Sequence, residues 1–404
     1  MAYRKAVAVT VTLAAVLLPA PAPAFAAEAC TNVPAQQKIA VATPYEDQLY
    51  DLGRLAPVAD GRGVRVAVID SGVDATHPQL RSRVTPGADF LKGNPDGRQD
   101  CVGHGTGVAG IIAAGPVAGV PFHGLAPRAT IVPVRISEQE QINGKIVGRQ
   151  GTSRDFADAI DFASDPDRGD AQVINLSLVM TEPDEQVRAA VARAIDRGVV
   201  VVAAVGNEGE PDKANLTPYP ASYPDVIGVG AIGTDGLRAA YSQHGSYVDV
   251  MAAGDKITVP ALHSGLTSGD GTSYATPFVA ATAALIKQRF PQLTPAQVTH
   301  RIIATADPAP GGRHSDEYGF GLLNPYRALT ETLGPDVPAS PAAVAMPTAD
   351  PATVALLARR EHSRRMALLV AAVGAGVVVL VVLLVAAVRR GRRRGWQPPD
   401  LRAG

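Results

Sequence analysis

Five short apolar runs recur along the middle of the chain, and turn-forming or polar residues separate them. The runs are rich in valine, isoleucine and alanine, and they cover residues 64–69, 129–136, 171–178, 198–206 and 225–232. Runs of this length without regular polar alternation predict strands that are buried on both faces of a sheet.

The segments between the runs show helical periodicity instead. Residues 153–163 follow the candidate capping residues Thr152 and Ser153, and residues 184–197 start at Asp184, another good helix cap. Strands that alternate with helices predict an α/β fold, with a mostly parallel, twisted sheet and helices on both faces. In such sheets the functional groups gather at the carboxyl ends of the strands.

The two ends of the chain have the composition of targeting and membrane segments. Residues 1–26 combine two basic residues, a short apolar run and a small-x-small cleavage pattern, which predicts a signal peptide. An unstructured alanine-rich N-terminus is the alternative. Residues 366–388 carry no charged side chain, and as a helix they would extend over about 34 Å, enough to cross a bilayer core of about 30 Å. Residues 389–404 are strongly basic, which favours a cytoplasmic tail.

Composition divides the remaining chain into three parts. Residues 27–59 form an N-terminal extension, residues 60–332 are long enough for one α/β domain, and residues 333–365 are a linker rich in proline and alanine with a juxtamembrane segment. Asn143–Gly144 predicts a hairpin turn in an insertion within the domain. The signal peptide and the span predict a single-pass protein of the cell membrane, with its domain on the extracytoplasmic side and its C-terminus in the cytoplasm.

Charge and cysteine content narrow the classes of function. The formal net charge is −1, which argues against nucleic acid as a partner. The chain has two cysteines, Cys30 and Cys101. In an exported protein such a pair predicts a disulfide bond, with two free thiols as the alternative. No pattern of acidic or thiolate ligands indicates a metal site, and we expect no cofactor.

Four polar residues stand at places where strands end or helices begin, and each has an ordinary interpretation by itself. Asp70 follows the first apolar run, and Asn207 follows the fourth; both fit simple turns. His104 opens a glycine-rich apolar segment, where a core histidine is the simple interpretation. Ser273 stands at the start of another apolar segment, where it fits a helix cap.

Together these residues supply the groups that acyl transfer requires. A serine becomes a good nucleophile only when a neighbouring base takes its proton, and a histidine oriented by an aspartate is such a base. The backbone N–H of Ser273 and the side-chain amide of Asn207 could then stabilise an oxyanion. We expect a helix to start near Ser273, which places Pro277 at about the fourth helical position, where its missing N–H costs little.

The motifs around these residues resemble those of the subtilases. The stretches "DSGVDATHP", "HGTGVAGIIA", "GNEG" and "GTSYATP" occur in subtilase order. The resemblance implies a subtilisin-like fold, a catalytic triad of Asp70, His104 and Ser273, and an oxyanion residue at Asn207. It also implies substrate-binding positions, which are Ser177, Leu178, Val179, Ala204 and Gly206. Many subtilases have glycine where Val179 stands, so the sequence does not identify a preferred substrate side chain.

The order of segments along the whole chain resembles that of the mycosins, membrane-anchored proteases associated with type VII secretion. This resemblance implies a membrane-anchored serine endopeptidase that cleaves exported proteins, with a secretion membrane complex as a further partner. Two alternatives remain: a mainly structural component of such a complex, and a general degradative protease of the cell surface. Residues 27–59 are too few for a separately folded inhibitor, so we expect them to pack on the domain and stabilise it. A bond from Cys30 to Cys101 would fasten them near His104.

Overall fold

A seven-stranded sheet, parallel throughout, forms the centre of the fold. In their order across the sheet, the strands are β2 (Ala88–Asp89), β3 (Thr130–Arg135), β1 (Arg65–Asp70), β6 (Val173–Leu176), β7 (Val200–Ala204), β8 (Ile227–Ile232) and β9 (Val250–Ala253). The five predicted strands are β1, β3, β6, β7 and β8, which confirms the α/β fold with a parallel sheet. The sequence analysis did not predict the two edge strands, β2 and β9, which are short.

The protein is described here by a computed structural model. The described residues are 43–91, 95–142, 145–310, 314–333, 366 and 387–390. The predicted signal peptide, nearly all of the linker, and most of the predicted span and tail lie outside them, and these assignments stay predictions. None of the helices within the described ranges combines the length and the apolar character that a bilayer crossing requires.

Side chains on successive strand positions enter two different hydrophobic layers. In β1, Val66 and Val68 belong to one layer, and Ala67 and Ile69 belong to the other. Helices α3 (His104–Ala113), α6 (Thr272–Arg289) and α7 (Pro295–Ala304) cover the first layer, and α4 (Ser153–Ser164) and α5 (Glu185–Asp196) cover the second. Because both faces of the sheet are covered, apolar residues occupy consecutive positions in its strands rather than alternate ones.

The two predicted helices begin at their predicted caps. In α4, the Thr152 side chain accepts from the backbone N–H of Asp155, whose carboxylate accepts from the Thr152 N–H, forming a capping box. In α5, Asp184 accepts from the N–H groups of Gln186 and Val187. These short-range bonds satisfy N–H groups that have no partner inside the helix, so a local sequence signal suffices to place the helix start.

Two antiparallel hairpins and one short helix complete the domain. The first hairpin joins β4 (Glu140–Ile142) to β5 (Lys145–Val147), and the second joins β10 (Ile257–Pro260) to β11 (Leu266–Gly269). The predicted turn at Asn143–Gly144 lies outside the described residues. Helix α8 (Pro325–Thr330) follows α7.

The described part of the N-terminal extension lies against the domain through two short helices, α1 (Tyr45–Tyr50) and α2 (Leu52–Leu55). The Tyr50 hydroxyl accepts from the N–H of Ala253 at 2.8 Å, and its ring lies 4.9 Å from that of Phe278, centroid to centroid. Leu55 is 1% exposed and belongs to the first hydrophobic layer, whereas Leu49 is 50% exposed. The extension therefore contributes to the same core as the sheet.

Deleting residues 27–55 is expected to lower the melting temperature without increasing turnover of a short peptide. The reason is that the deletion removes Tyr50 and Leu55 from the core. Leu55→Ala should destabilise the fold by about 2–5 kcal/mol, and the matched change Leu49→Ala, at an exposed site, should have little effect. Thermal unfolding together with a peptidase assay checks both. A large gain in activity at unchanged stability would identify the segment as an inhibitor instead.

Candidate active site

The sheet brings three of the predicted site residues to one edge. Asp70 is the last residue of β1, while Ser177 and Asn207 follow β6 and β7. Strand β1 pairs with β3 on one side and with β6 on the other. The strands that follow β1 along the chain therefore lie on both sides of it. Such a switch point creates a crevice beyond the carboxyl ends of the strands, where ligands of α/β proteins commonly bind.

Asp70, which is buried, and His104, which is partly exposed, form a hydrogen-bonded pair in this crevice. His104 Nδ1 lies 2.8 Å from Asp70 Oδ1, which also accepts from the N–H of Ser71 at 2.7 Å. The Asp70 side chain is 1% exposed and that of His104 is 25% exposed. A β-carbon at Gly105 would lie 2.1 Å from the carbonyl oxygen of Gly72. The absence of a side chain at Gly105 therefore permits the start of α3 to lie this close to the backbone of Gly72. An imidazole that donates from Nδ1 to a carboxylate has its Nε2 available to accept a proton.

A second carboxylate, Asp100, holds the start of α3 and therefore the position of His104. Asp100 Oδ1 accepts from the hydroxyl of Ser71 at 2.9 Å, and Oδ2 accepts from the N–H and the hydroxyl of Thr106 at 2.9 and 2.7 Å. The Ser71 hydroxyl in turn accepts from the N–H of Gly105 at 2.9 Å. This network was not predicted from the sequence. The available signal was Asp100, an aspartate four residues before His104. The residue at the N-cap of α3 is Gly103, which has no side chain to accept a hydrogen bond.

The two carboxylates determine the direction of the pKa shift at His104. Burial lowers the pKa of His104, but the adjacent charge of Asp70, its hydrogen bond and the charge of Asp100 outweigh burial, so the pKa lies above its usual value. Burial also raises the pKa of Asp100, and the donors from Thr106, Gly103 and Val102 oppose that rise. The carboxylates of Asp70 and Asp100 are thus arranged to stabilise the positively charged imidazolium of His104.

We expect kcat/KM to rise with pH through an ionisation above the usual histidine pKa of about 6.5, because only neutral His104 can accept a proton. Asp100→Asn should move this ionisation to lower pH, since it removes a negative charge that favours the imidazolium. Glu185→Gln, on the exposed start of α5, is the matched control and should leave it in place. The measurement is a pH profile of peptide hydrolysis. An ionisation that stays in place or rises in the Asp100 variant contradicts the assignment.

Ser273 is the second residue of α6, directly after the hairpin that ends in β11. The next residue, Tyr274, places its ring 5.2 Å from that of His104, centroid to centroid, so the helix start and the histidine are in contact. Within the described part of the chain, no hydrogen bond joins the Ser273 hydroxyl to His104. Such bonds are often long without substrate and shorten when substrate binds.

The position expected for Pro277 is wrong. Helix α6 begins at Thr272, so Pro277 is the sixth helical residue rather than about the fourth, and its missing N–H is not one of the unpaired groups of the first turn. Instead, the proline deprives the carbonyl of Ser273, four residues earlier, of its helical donor. The hydroxyl of Ser177 donates to that carbonyl at 2.7 Å.

Asn207 is oriented by its contacts with Thr272. Its Oδ1 accepts from the N–H of Thr272 at 2.9 Å and from the Thr272 hydroxyl at 3.0 Å. A β-carbon at Gly271, where φ is 142°, would lie 3.1 Å from both Asn207 Nδ2 and the Ser273 hydroxyl. The amide N–H groups and the nucleophilic oxygen therefore border the same small space, and the absence of a side chain at Gly271 keeps that space open.

The residues proposed for substrate binding have different surroundings. Leu178 and Val179 are half-buried just after β6, and Ala204, the last residue of β7, is 1% exposed. Gly206 has a φ of 95°, and a β-carbon there would lie 2.1 Å from Gln243 Oε1. Ser177 is turned towards Ser273. The structure thus brings Leu178 and Val179 to the crevice edge and places Ala204 in the core; their roles stay predictions.

The described residues contain neither a metal-binding cluster nor a free cysteine. Among them, no group of three or more histidine, cysteine, aspartate or glutamate side chains is arranged to hold a metal ion. No described cysteine is free, but Cys30 lies outside the described residues. The bridge between Cys30 and Cys101 stays a prediction.

The sequence of this chain is similar to those of known proteins. The model of the subtilase family matches residues 61–321. Subtilisin E of Bacillus subtilis (strain 168) is 38% identical over 266 residues, which are 65% of this chain and 65% of that protein. The chain thus spans just under two thirds of that relative. Mycosin-1 of Mycobacterium tuberculosis (strain ATCC 25618 / H37Rv) is 35% identical over 328 residues, covering 70% of this chain and 72% of that protein.

A solved structure shows the same fold. The crystal structure of MycP1 from the ESX-1 type VII secretion system superposes with a TM-score of 0.65 at 30% identity. The superposition covers 77% of this chain and 92% of that one.

Proposed function

Because this chain belongs to the subtilase family, we propose that it is a serine endopeptidase of the cell surface, anchored in the cytoplasmic membrane and working with a type VII secretion system. One observation carries the peptidase part of the proposal. Asn207 Nδ2 and the Ser273 hydroxyl converge on one space, while the Asp70–His104 pair is formed beside it.

This geometry supports hydrolysis through an acyl-enzyme. The Ser273 hydroxyl attacks the substrate carbonyl carbon, while His104 Nε2 takes its proton and Asp70 stabilises the imidazolium. The substrate oxygen, now negative, accepts from the Ser273 N–H and from Asn207 Nδ2. His104 then gives the proton to the leaving amine. A water molecule, activated in the same way, hydrolyses the acyl-enzyme and restores Ser273.

The membrane and secretion parts rest on similarity and on the sequence. MycP1, whose structure is similar, comes from the ESX-1 type VII secretion system, and mycosin-1 is among the similar proteins. The predicted signal peptide at residues 1–26 and the predicted span at residues 366–388 support export and anchoring with the domain outside. Exported proteins are the substrates that this location makes accessible.

An experiment in the native host separates proteolysis from a purely structural role. Secretion is followed in the parent strain, in a strain with Ser273→Ala and in a strain that lacks the whole chain, with the abundance of the variant checked at the membrane. Equal loss in both altered strains supports a proteolytic role in secretion. Loss only on deletion supports the structural alternative, and secretion unaffected in both excludes this secretion role.

A further inference from the structure

We infer that Ser177 is a positioning residue for the nucleophile: its hydroxyl replaces the helical N–H that Pro277 lacks and so holds Ser273. This inference rests on the proposed peptidase function and assigns to Ser177 a role through Ser273, distinct from contact with substrate. Three observations carry it: the position of the proline, the hydrogen bond to the Ser273 carbonyl, and the donor that orients Ser177.

Pro277 leaves one carbonyl group of α6 without its helical hydrogen-bond donor. In a regular helix, the carbonyl of Ser273 would accept from the N–H of residue 277, but proline has none and its ring crowds that carbonyl. A buried carbonyl without a donor destabilises the folded protein. The Ser177 hydroxyl lies 2.7 Å from the Ser273 oxygen and supplies the donor.

A third side chain directs the Ser177 hydroxyl. Asn175 Nδ2 donates to Ser177 Oγ at 3.0 Å, which occupies a lone pair and leaves the hydroxyl hydrogen for the Ser273 carbonyl. Asn175 is fully buried and lies in β6, and Ser177 is 6% exposed. The donor is therefore attached to the central sheet rather than to a mobile surface loop.

The result is that the backbone of Ser273 is held on both sides. On its N-terminal side, the Thr272 N–H donates to Asn207 Oδ1; on its C-terminal side, the Ser273 carbonyl accepts from Ser177. These two bonds restrain the backbone of Ser273, and with it the direction of its hydroxyl and of its N–H. Both groups act in the same reaction step, so a small rotation would weaken attack and oxyanion binding together.

A double-mutant cycle tests this role. Ser177→Ala should lower kcat about tenfold with KM changed less than twofold, because positioning of the reacting groups is lost. Pro277→Ala introduces an N–H that can donate to the Ser273 carbonyl, so Ser177→Ala should cost far less in that background. Thr282→Ala is the matched control, since the Thr282 hydroxyl is buried in α6 and donates to the carbonyl of Phe278; kcat should be unchanged there.

A second pair of variants serves if Ser177→Ala does not fold. Ser177→Thr keeps a hydroxyl and Ser177→Val has nearly the same shape without one, so the threonine variant should turn over substrate about tenfold faster. Equal kcat for the folded Thr and Val variants, or an equal loss from Ser177→Ala with Pro277 and with alanine at that position, overturns the inference. A fluorophosphonate probe that fails to label wild-type Ser273 overturns the proposed function itself. Labelling of wild type with unchanged kcat in Ser177→Ala overturns only the positioning role.

Discussion

Ser273→Ala is expected to abolish peptidase activity while leaving the domain folded. The change removes the oxygen that attacks the substrate carbonyl in the proposed mechanism, and the loss in kcat should be on the order of 10⁶-fold, the size found for the triad serine of subtilisin. The Ser273 side chain is only half-buried, and alanine is a good helix former, so the melting temperature should change little.

The measurement is turnover of a fluorogenic peptide by purified protein, together with thermal unfolding. Ser153→Ala, at the exposed first turn of α4, is the matched serine control and should keep full activity. Activity within tenfold of wild type in Ser273→Ala would show that a different group attacks the substrate.

Asn207→Leu is expected to give the second largest effect, a loss of about 10²–10³ in kcat with KM nearly unchanged. Leucine has a similar size but donates no hydrogen bond, and negative charge on the substrate oxygen develops only in the transition state. Thr272→Val should give a smaller loss, because the Thr272 N–H still holds Asn207 Oδ1 when the hydroxyl is gone.

Steady-state kinetics of Asn207→Leu and Thr272→Val test these two expectations. If Asn207→Leu raises KM and leaves kcat in place, Asn207 binds ground-state substrate instead of the oxyanion. If Thr272→Val equals or exceeds the loss from Asn207→Leu, the contact from Thr272 does more than orient this amide.

The strands and helix starts could be predicted because their signals are local. The run before Asp70 has consecutive apolar residues from Val66 to Ile69, and it becomes β1 with both faces covered. Thr152 and Asp155, three residues apart, form the capping box that starts α4. Interactions between neighbours in the chain can be recognised in the order of residue types, whatever the rest of the fold does.

The site was predicted only in its residue types and in their order along the chain. Asp70, His104, Asn207 and Ser273 were identified because acyl transfer needs these groups, and the structure brings Asp70 to His104 and Asn207 to Thr272. What the sequence analysis misjudged was the function of Pro277. A difference of about two helical positions decides whether a missing N–H is harmless, and helix boundaries are the least reliable part of a prediction from sequence.

The sequence by itself determined the five inner strands of the sheet, the caps of α4 and α5 and the chemistry that the motifs can perform, since each depends on residues close together in the chain. Only the tertiary structure decided which groups hold the catalytic residues and the N-terminal extension in place. Ser177 bonds to Ser273 across 96 positions, Ser71 to Asp100 across 29, and Tyr50 to Ala253 across 203. Such contacts follow from the order of strands in the sheet and the packing of helices on it. No short stretch of sequence encodes them, because each partner alone looks like an ordinary serine, aspartate or tyrosine.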